Sequence, residues 1–269
     1  MSSNFLNEVL EIAEKYGVQL PVDHTLGVKI SHDPDSLCGE KTKESIIEKA
    51  ERKILIDGEP DFTLLNLHDP IRATFVVETH EHSPVVLDMF KKPFPDLHGE
   101  FTSYERGYQG IHLNTNEISG LCADIHITSF TQQLVDNITH ALYTKSRHLE
   151  KNSPDRLEIE SEIKILYDKL FLKSRSAYMG EVLQTKLSTL NKNFIPNNIN
   201  KLPSVLVKKL IVPPAKMKRG KIILDRERLA DQAEMLQEFA KGPQRELAIT
   251  LQGVFYNGYK PKRKSDKLV

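Results

Sequence analysis

Ile111-His112-Leu113-Asn114-Thr115-Asn116, then Glu117-Ile118-Ser119-Gly120, then Cys122-Ala123-Asp124-Ile125-His126-Ile127-Thr128: these runs decide the fold of the chain. The outer two alternate in character with the period of a strand that has one face in a core, and the middle one ends in a turn signal. Together they read as a β-hairpin. With the turn centred near Ser119, residue 112 faces 126 and residue 114 faces 124, because side chains directly opposite in an antiparallel pair share a face. His112, Asn114 and Asn116 then lie on the same side of the sheet as Asp124, His126 and Thr128. That side is either a candidate active-site floor or the wet face of an ordinary antiparallel sheet.

Working outward, Ile71 to Val77 is β-branched and aromatic, as expected of a central strand, and Pro84 to Phe90 reads as a short helix after it. Phe5, Leu6, Val9, Leu10, Ile12 and Ala13 recur at helical spacing over residues 4 to 16 and stop at Gly17. Pro34, Asp35, Ser36 and Gly39 mark a loop, followed by a helical pattern through about Ile54. Residues 130 to 149 and 155 to 178 read as long helices separated by Asn152-Ser153-Pro154. After about residue 190 the texture changes. Asn191, Asn193, Pro196, Asn197, Asn198 and Asn200 read as a loop or linker, Pro203, Pro213 and Pro214 interrupt the chain beyond it, and one helix is expected over Arg226 to Phe239.

The chain has 269 residues, of which 39% are hydrophobic and 28% charged, enough to bury a sizeable core. No run is long and apolar enough to span a bilayer, and the start carries neither the basic nor the apolar part of a secretory signal. Cys38 and Cys122 cannot make a disulfide framework and sit in no zinc-ligand spacing. A reducing cytoplasm fits best, with delivery by a signal-free secretion machine as the alternative. The net charge of zero hides an asymmetry: residues 201 to 269 hold 16 Lys and Arg against 7 Asp and Glu. A basic tail on an acidic body binds nucleic acid, docks on the body, or is simply solvated.

Several residues have the chemistry to handle a triphosphate. Lys41, Ser45, Lys49 and Arg52 fall at intervals that put them on one helix face, while Ile46, Ile47, Ala50 and Ile54 face inward. Asp69 stands just before the apolar strand and Arg72 within it. Taken alone, the basic residues also fit a solvated helix face, and Asp69 a turn or cap.

Gly107-Tyr108-Gln109-Gly110-Ile111-His112-Leu113, followed by Ala123-Asp124-Ile125-His126-Ile127-Thr128 and His140-Ala141-Leu142-Tyr143-Thr144-Lys145, resembles the synthetase domain of the RelA/SpoT family, in the style of its small stand-alone and toxin-like members. These enzymes move a pyrophosphate from ATP onto the 3′-hydroxyl of a second nucleotide. The resemblance spans about residues 39 to 180 and implies a mixed α/β fold, a sheet of roughly five strands flanked by helices and related in design to nucleotidyltransferases. It divides the chain into a synthetase domain, residues 1 to 190, and a basic, partly helical C-terminal extension, residues 191 to 269.

The resemblance also assigns roles. Lys41, Ser45 and Lys49 match the family's basic-Ser-Ile-Lys pattern and, with Arg52 and Arg72, would bind ATP. Asp69 matches the aspartate that opens the strand and holds Mg²⁺. Asp124 stands where the family has a glutamate, and would share the metal and assist deprotonation of the attacking hydroxyl. Tyr108 would stack on the acceptor base, Arg106 would replace a phosphate-binding lysine, and His112 and His140 would complete the acceptor side. The family has other residues at Thr74, Arg106, Asp124 and Thr128, which leaves adenosine nucleotides as credible an acceptor as GDP or GTP. Two further functions stay open. One is transfer to the 3′ end of tRNA, with Phe255, Tyr256 and Tyr259 among Lys260, Lys262, Arg263 and Lys264 tracking the nucleic acid. The other is a degenerate module that binds a nucleotide without turnover. No membrane partner is expected, and a homo-oligomer is compatible with the sequence.

Overall fold

The computed structural model describes residues 27–29, 39–77, 82–103, 109–147, 152–173, 185–194 and 196–258, with positions 11, 14, 15, 149 and 182 besides. The expected opening helix over residues 4 to 16 falls almost entirely outside them. Six strands make one mixed sheet: β1 (Gly27–Lys29), β2 (Gly39–Glu40), β3 (Ile71–Val77), β4 (His98–Ser103), β5 (Gln109–Thr115) and β6 (Ala123–Ser129). The order is β1-β3-β6-β5-β4, with β2 also pairing β3, so six strands fill five positions. β3 is an interior strand, buried on both faces almost throughout, which its apolar sequence anticipates. It runs parallel to β6 with Arg72 opposite Asp124. β5 and β6 form the expected hairpin, with His112 opposite His126 and Asn114 opposite Asp124. Its turn places Ser119 at φ 51° and Gly120 at φ 82°, conformations that a Ser-Gly pair tolerates.

The helices are α1 (Lys43–Glu51), α2 (Ser83–Phe90), α3 (Phe130–Arg147), α4 (Pro154–Lys173), α5 (Ser204–Leu210) and α6 (Arg226–Gly258). Alternation along the strands sends Ile71, Ala73, Phe75 and Val77 of β3, Ile111 and Leu113 of β5, and Ile125 and Ile127 of β6 into one core. Ile46 and Ala50 of α1, Leu87 and Phe90 of α2, and Leu229, Leu236, Leu247 and Leu251 of α6 fill it from that side. The core therefore continues without a break across residue 190. On the other face α3 follows β6 directly and packs against α4, burying Val135, Ile138 and Leu142 with Ile163, Leu166 and Tyr167.

Three local features differ from the sequence reading. Lys41 does not belong to α1: Thr42 is the N-cap, its side-chain oxygen accepting from the Ser45 N–H, and Lys41 sits between β2 and the cap. After α1 the chain passes into a π-helical turn over Arg52–Ile56. The C-terminal helix does not stop at Phe239 but runs on through Pro243 to Gly258. Pro243 cannot donate to the Phe239 carbonyl, but apolar residues on both sides of it are buried in the core, and that burial outweighs the lost bond. Between α5 and α6 lies a two-stranded hairpin, β7 (Ala215–Lys218) and β8 (Lys221–Leu224), turned by Arg219 and Gly220 at positive φ. Among the described residues no helix is long and apolar enough to cross a membrane.

Candidate active site

Asp69 leaves the loop before β3 and points at two lysines from different elements. Its Oδ2 lies 3.0 Å from Lys41 Nζ and its Oδ1 lies 2.6 Å from Lys49 Nζ. Local geometry explains the convergence. The Lys41 N–H donates to the Pro70 carbonyl at 3.1 Å, which brings the end of β2 beside the start of β3, and Lys49 reaches down from the second turn of α1. Burial works against the Asp69 carboxylate, but the two ammonium groups outweigh it and hold its pKa at about 2. At Lys41 the balance is the reverse. Burial exceeds the attraction of Asp69, and the charges of Arg72 and Lys49 add to it, so Lys41 is drawn down to about 8.

The neighbouring strands carry the second carboxylate. Asp124 faces the same side as Arg72 and accepts from or donates to His112 Nδ1 at 3.0 Å according to protonation. Burial opposes ionisation of both, yet their mutual attraction prevails: the Asp124 carboxyl is lowered and the His112 imidazole raised. His112 stacks on His126 with centroids 5.0 Å apart and planes 9° from parallel. His126 Nδ1 in turn lies 4.0 Å from Asp136 Oδ2 on α3. Tyr167 donates to Asp136 Oδ1 at 2.7 Å, and Thr128 to Oδ2 at 3.4 Å. Burial outweighs these bonds and pushes Asp136 up to about 7. The polar face of the hairpin is thus a linked row, Asp124–His112–His126–Asp136.

Arg72 is the remaining cation. Its backbone is held from an unexpected direction: Gln244 of α6, 2% exposed, accepts from the Arg72 N–H at 3.1 Å and donates to the Arg72 carbonyl at 3.0 Å. Gln244 thus braces β3 at the residue where β2 also pairs it, with Gly39 opposite Arg72. The Arg72 guanidinium Nε is buried and has no hydrogen-bond partner among the described residues.

The structure therefore brings together Lys41, Lys49, Asp69, Arg72, Asp124 and His112. Ser45 is half-buried on α1 between the levels of the two lysines. Arg52, in the π-helical turn, makes no ion pair among the described residues. His140 lies one turn beyond Asp136 on α3 with its side chain exposed. Arg106 and Tyr108 lie outside the described residues, as do Tyr259, Lys260, Lys262, Arg263 and Lys264. Phe255 packs edge-on against Phe75 at 6.0 Å and is half-buried on the core side of α6. Sequence reasoning passed over Asp136 and Gln244. The first carried a weak signal, a carboxylate on the apolar side of a helix; the second carried none. Among the described residues no group of three or more His, Cys, Asp or Glu is placed to hold a metal ion.

No family model matches the chain, and no curated protein matches it. Among solved structures it is similar to a GTP pyrophosphokinase family protein from Streptococcus pneumoniae, 19% identical over 71% of this chain and 89% of that one, with a TM-score of 0.38. Small alarmone synthetase 1 from Bacillus subtilis bound to its product pppGpp is 18% identical over 68% and 94%, with a TM-score of 0.40. The Type VI effector Tas1, in complex with its immunity protein, is 17% identical over 62% and 88%, with a TM-score of 0.34. At these identities and scores the functional reading rests on the residues of this chain.

Proposed function

We propose that this protein is a nucleotide pyrophosphokinase that transfers the β,γ-pyrophosphate of ATP to the 3′-hydroxyl of a purine nucleotide and releases AMP. The observation that carries the reading is the cluster of Lys41, Lys49 and Arg72 around Asp69, with Asp124 on the adjacent strand. Three cations converge on a site with two carboxylates, and one cationic donor, Arg72 Nε, is buried with no acceptor among the described residues. An unpaired buried donor costs roughly 1–3 kcal/mol, a cost that an anionic oxygen of the triphosphate would remove.

In the proposed reaction the acceptor 3′-oxygen bonds to the β-phosphorus, and the bond between that phosphorus and the α,β-bridging oxygen breaks. AMP carries away the electron pair. The transferring group spreads its charge over its equatorial oxygens, so positioning and electrostatic stabilisation supply most of the catalysis. Lys41 and Lys49 hold the β- and γ-phosphates, and Arg72 faces the developing charge. Asp124 accepts a hydrogen bond from the 3′-hydroxyl and takes its proton late in the transfer, with His112 orienting the carboxylate.

Asp69 and Asp124 fit Mg²⁺. Both are hard oxygen donors held ionised, and Mg²⁺ needs only one or two protein carboxylates because substrate phosphates and water complete its shell. When bound it would neutralise phosphate charge and polarise the reacting phosphoryl group.

The test is transfer of label from γ-labelled ATP with Mg²⁺ to GDP, GTP, AMP, ADP, ATP or deacylated tRNA, with Asp69→Asn alongside. Label on a nucleotide, absent in the variant, supports the proposal and names the acceptor. Label on tRNA alone moves the substrate class to nucleic acid. Nucleotide binding without AMP release in both proteins refutes the enzyme reading and leaves a nucleotide-sensing module.

A further inference from the structure

Asn197 belongs to the asparagine-rich loop that comes after the sheet in sequence, yet its side chain is 4% exposed. All of its strong hydrogen-bonding positions point at the site's supports. Its Oδ1 accepts from the Cys122 N–H at 2.7 Å, and its Nδ2 donates to the Leu65 carbonyl at 2.6 Å and to the Leu67 carbonyl at 2.9 Å. Leu67 stands two residues before Asp69, and Cys122 two residues before Asp124. One amide therefore bridges the two chain segments that deliver the two carboxylates.

The loop around it is fixed as well. The Asn198 N–H donates to the Gly120 carbonyl at 2.7 Å, and Lys201 pairs with Glu117 at 2.7 Å across the hairpin turn. A Cβ on Gly120 would lie 2.8 Å from Lys201 Cβ and 2.9 Å from the Asn198 carbonyl oxygen, so the loop sits hard against the turn. Asn197 itself has φ 55°, a conformation that asparagine tolerates better than most residues and that costs up to a few kcal/mol elsewhere. A strained backbone, a buried amide and three bonds at one residue are more than a connecting loop needs.

The geometry points to Asn197 as a positioning residue that sets the separation of Asp69 and Asp124, and with it the metal and phosphate geometry of pyrophosphate transfer. This inference rests on the pyrophosphokinase reading above. Asn197 touches neither substrate nor metal; it acts through the backbone on both carboxylates. A misplacement of about 1 Å from a residue remote from the chemistry costs on the order of 100-fold in rate, and loss of a residue that orients metal ligands costs about 10–100-fold in metal affinity.

Two substitutions in the full chain test this. Asn197→Gly keeps the positive φ without strain and removes all three bonds. Asn197→Asp keeps the shape and the bond from Cys122 but removes both donors, loosening the Asp69 side, and serves if the glycine variant does not fold. Near-ultraviolet circular dichroism reports folding. The expected result is a kcat lowered about 100-fold, a KM for ATP within about twofold, and a half-saturating Mg²⁺ concentration raised about tenfold. A lowered melting temperature with kcat and Mg²⁺ dependence unchanged overturns the inference, because Asn197 would then serve stability alone. If the wild-type chain transfers nothing, the readout is Mn²⁺ affinity by electron paramagnetic resonance. Affinity about tenfold weaker in the variants supports the clamp while the proposed reaction fails; equal affinity, or no Mn²⁺ binding by the wild type, overturns both.

Discussion

Replacing Asp69 by asparagine removes one negative charge from between two lysines, and the structure sets the size of the effect. The Asp69 carboxyl is held at about 2 against an ordinary 3.8. A group so shifted contributes roughly 2–3 kcal/mol to folding at neutral pH. Its side chain is 18% exposed and that of Lys41 8%, so solvent screens the pair only weakly. Attraction between Asp69 and Lys41 shifts both groups but is one interaction and contributes once. Because the folded pKa is depressed, the contribution is complete above about pH 4 and is lost as pH falls through about 2. Urea unfolding with a chelator present should show Asp69→Asn less stable by roughly 2–3 kcal/mol at pH 7, with the gap closing between pH 4 and pH 2 and the m-value unchanged. In a thermal scan this amounts to about 5–10 °C. A difference under about 0.5 kcal/mol at pH 7, or one that stays constant down to pH 3, would refute the argument.

Asp136 should respond in the opposite sense. Burial raises its folded pKa to about 7, so stability falls as pH rises from about 4 through 7, and Asp136→Asn should melt several degrees above wild type at pH 8, with less than half that gain at pH 5 and none at pH 3. Gln244→Ala removes two side-chain bonds to the Arg72 backbone and should cost about 1–3 kcal/mol in chemical denaturation. Leu236→Ala empties a fully packed position on α6 and should cost about 2–5 kcal/mol. Unfolding followed by circular dichroism and by tyrosine fluorescence should then shift together, because α6 and the sheet share one core.

Local pattern carried much of this architecture. Strict alternation through 111–116 and 122–128, with Ser119-Gly120 between them, was enough to pair His112 with His126 and Asn114 with Asp124. The β-branched run at 71–77 was enough to place β3 in the interior of the sheet, between β1 and β6. Elements whose shape depends on distant partners were not legible. Gly242-Pro243 reads as a helix stop, and only the apolar residues on both sides of it, meeting a sheet far back in sequence, carry α6 through. The β7–β8 hairpin has strands of only four residues each, too short to set up a readable alternation. Lys41 and Lys49 were read as one helix face; they do meet, but at Asp69 and from two different elements. Asn197 and Gln244 are invisible to periodicity because each acts through a single amide against backbone 75 or more residues away.

The glutamine that braces β3 at Arg72 also sets a clock. Arg72 waits 172 residues for Gln244 to be made. At roughly 5–20 residues per second of synthesis, that is on the order of ten to thirty seconds. Throughout that interval a nascent chain carries β3 without its Gln244 brace and with the apolar face meant for α6 uncovered, and exposed apolar surface of that kind associates with other chains or recruits chaperones. A ribosome that stalls in α5, β7, β8 or α6 leaves both carboxylates on a sheet whose core face is still uncovered.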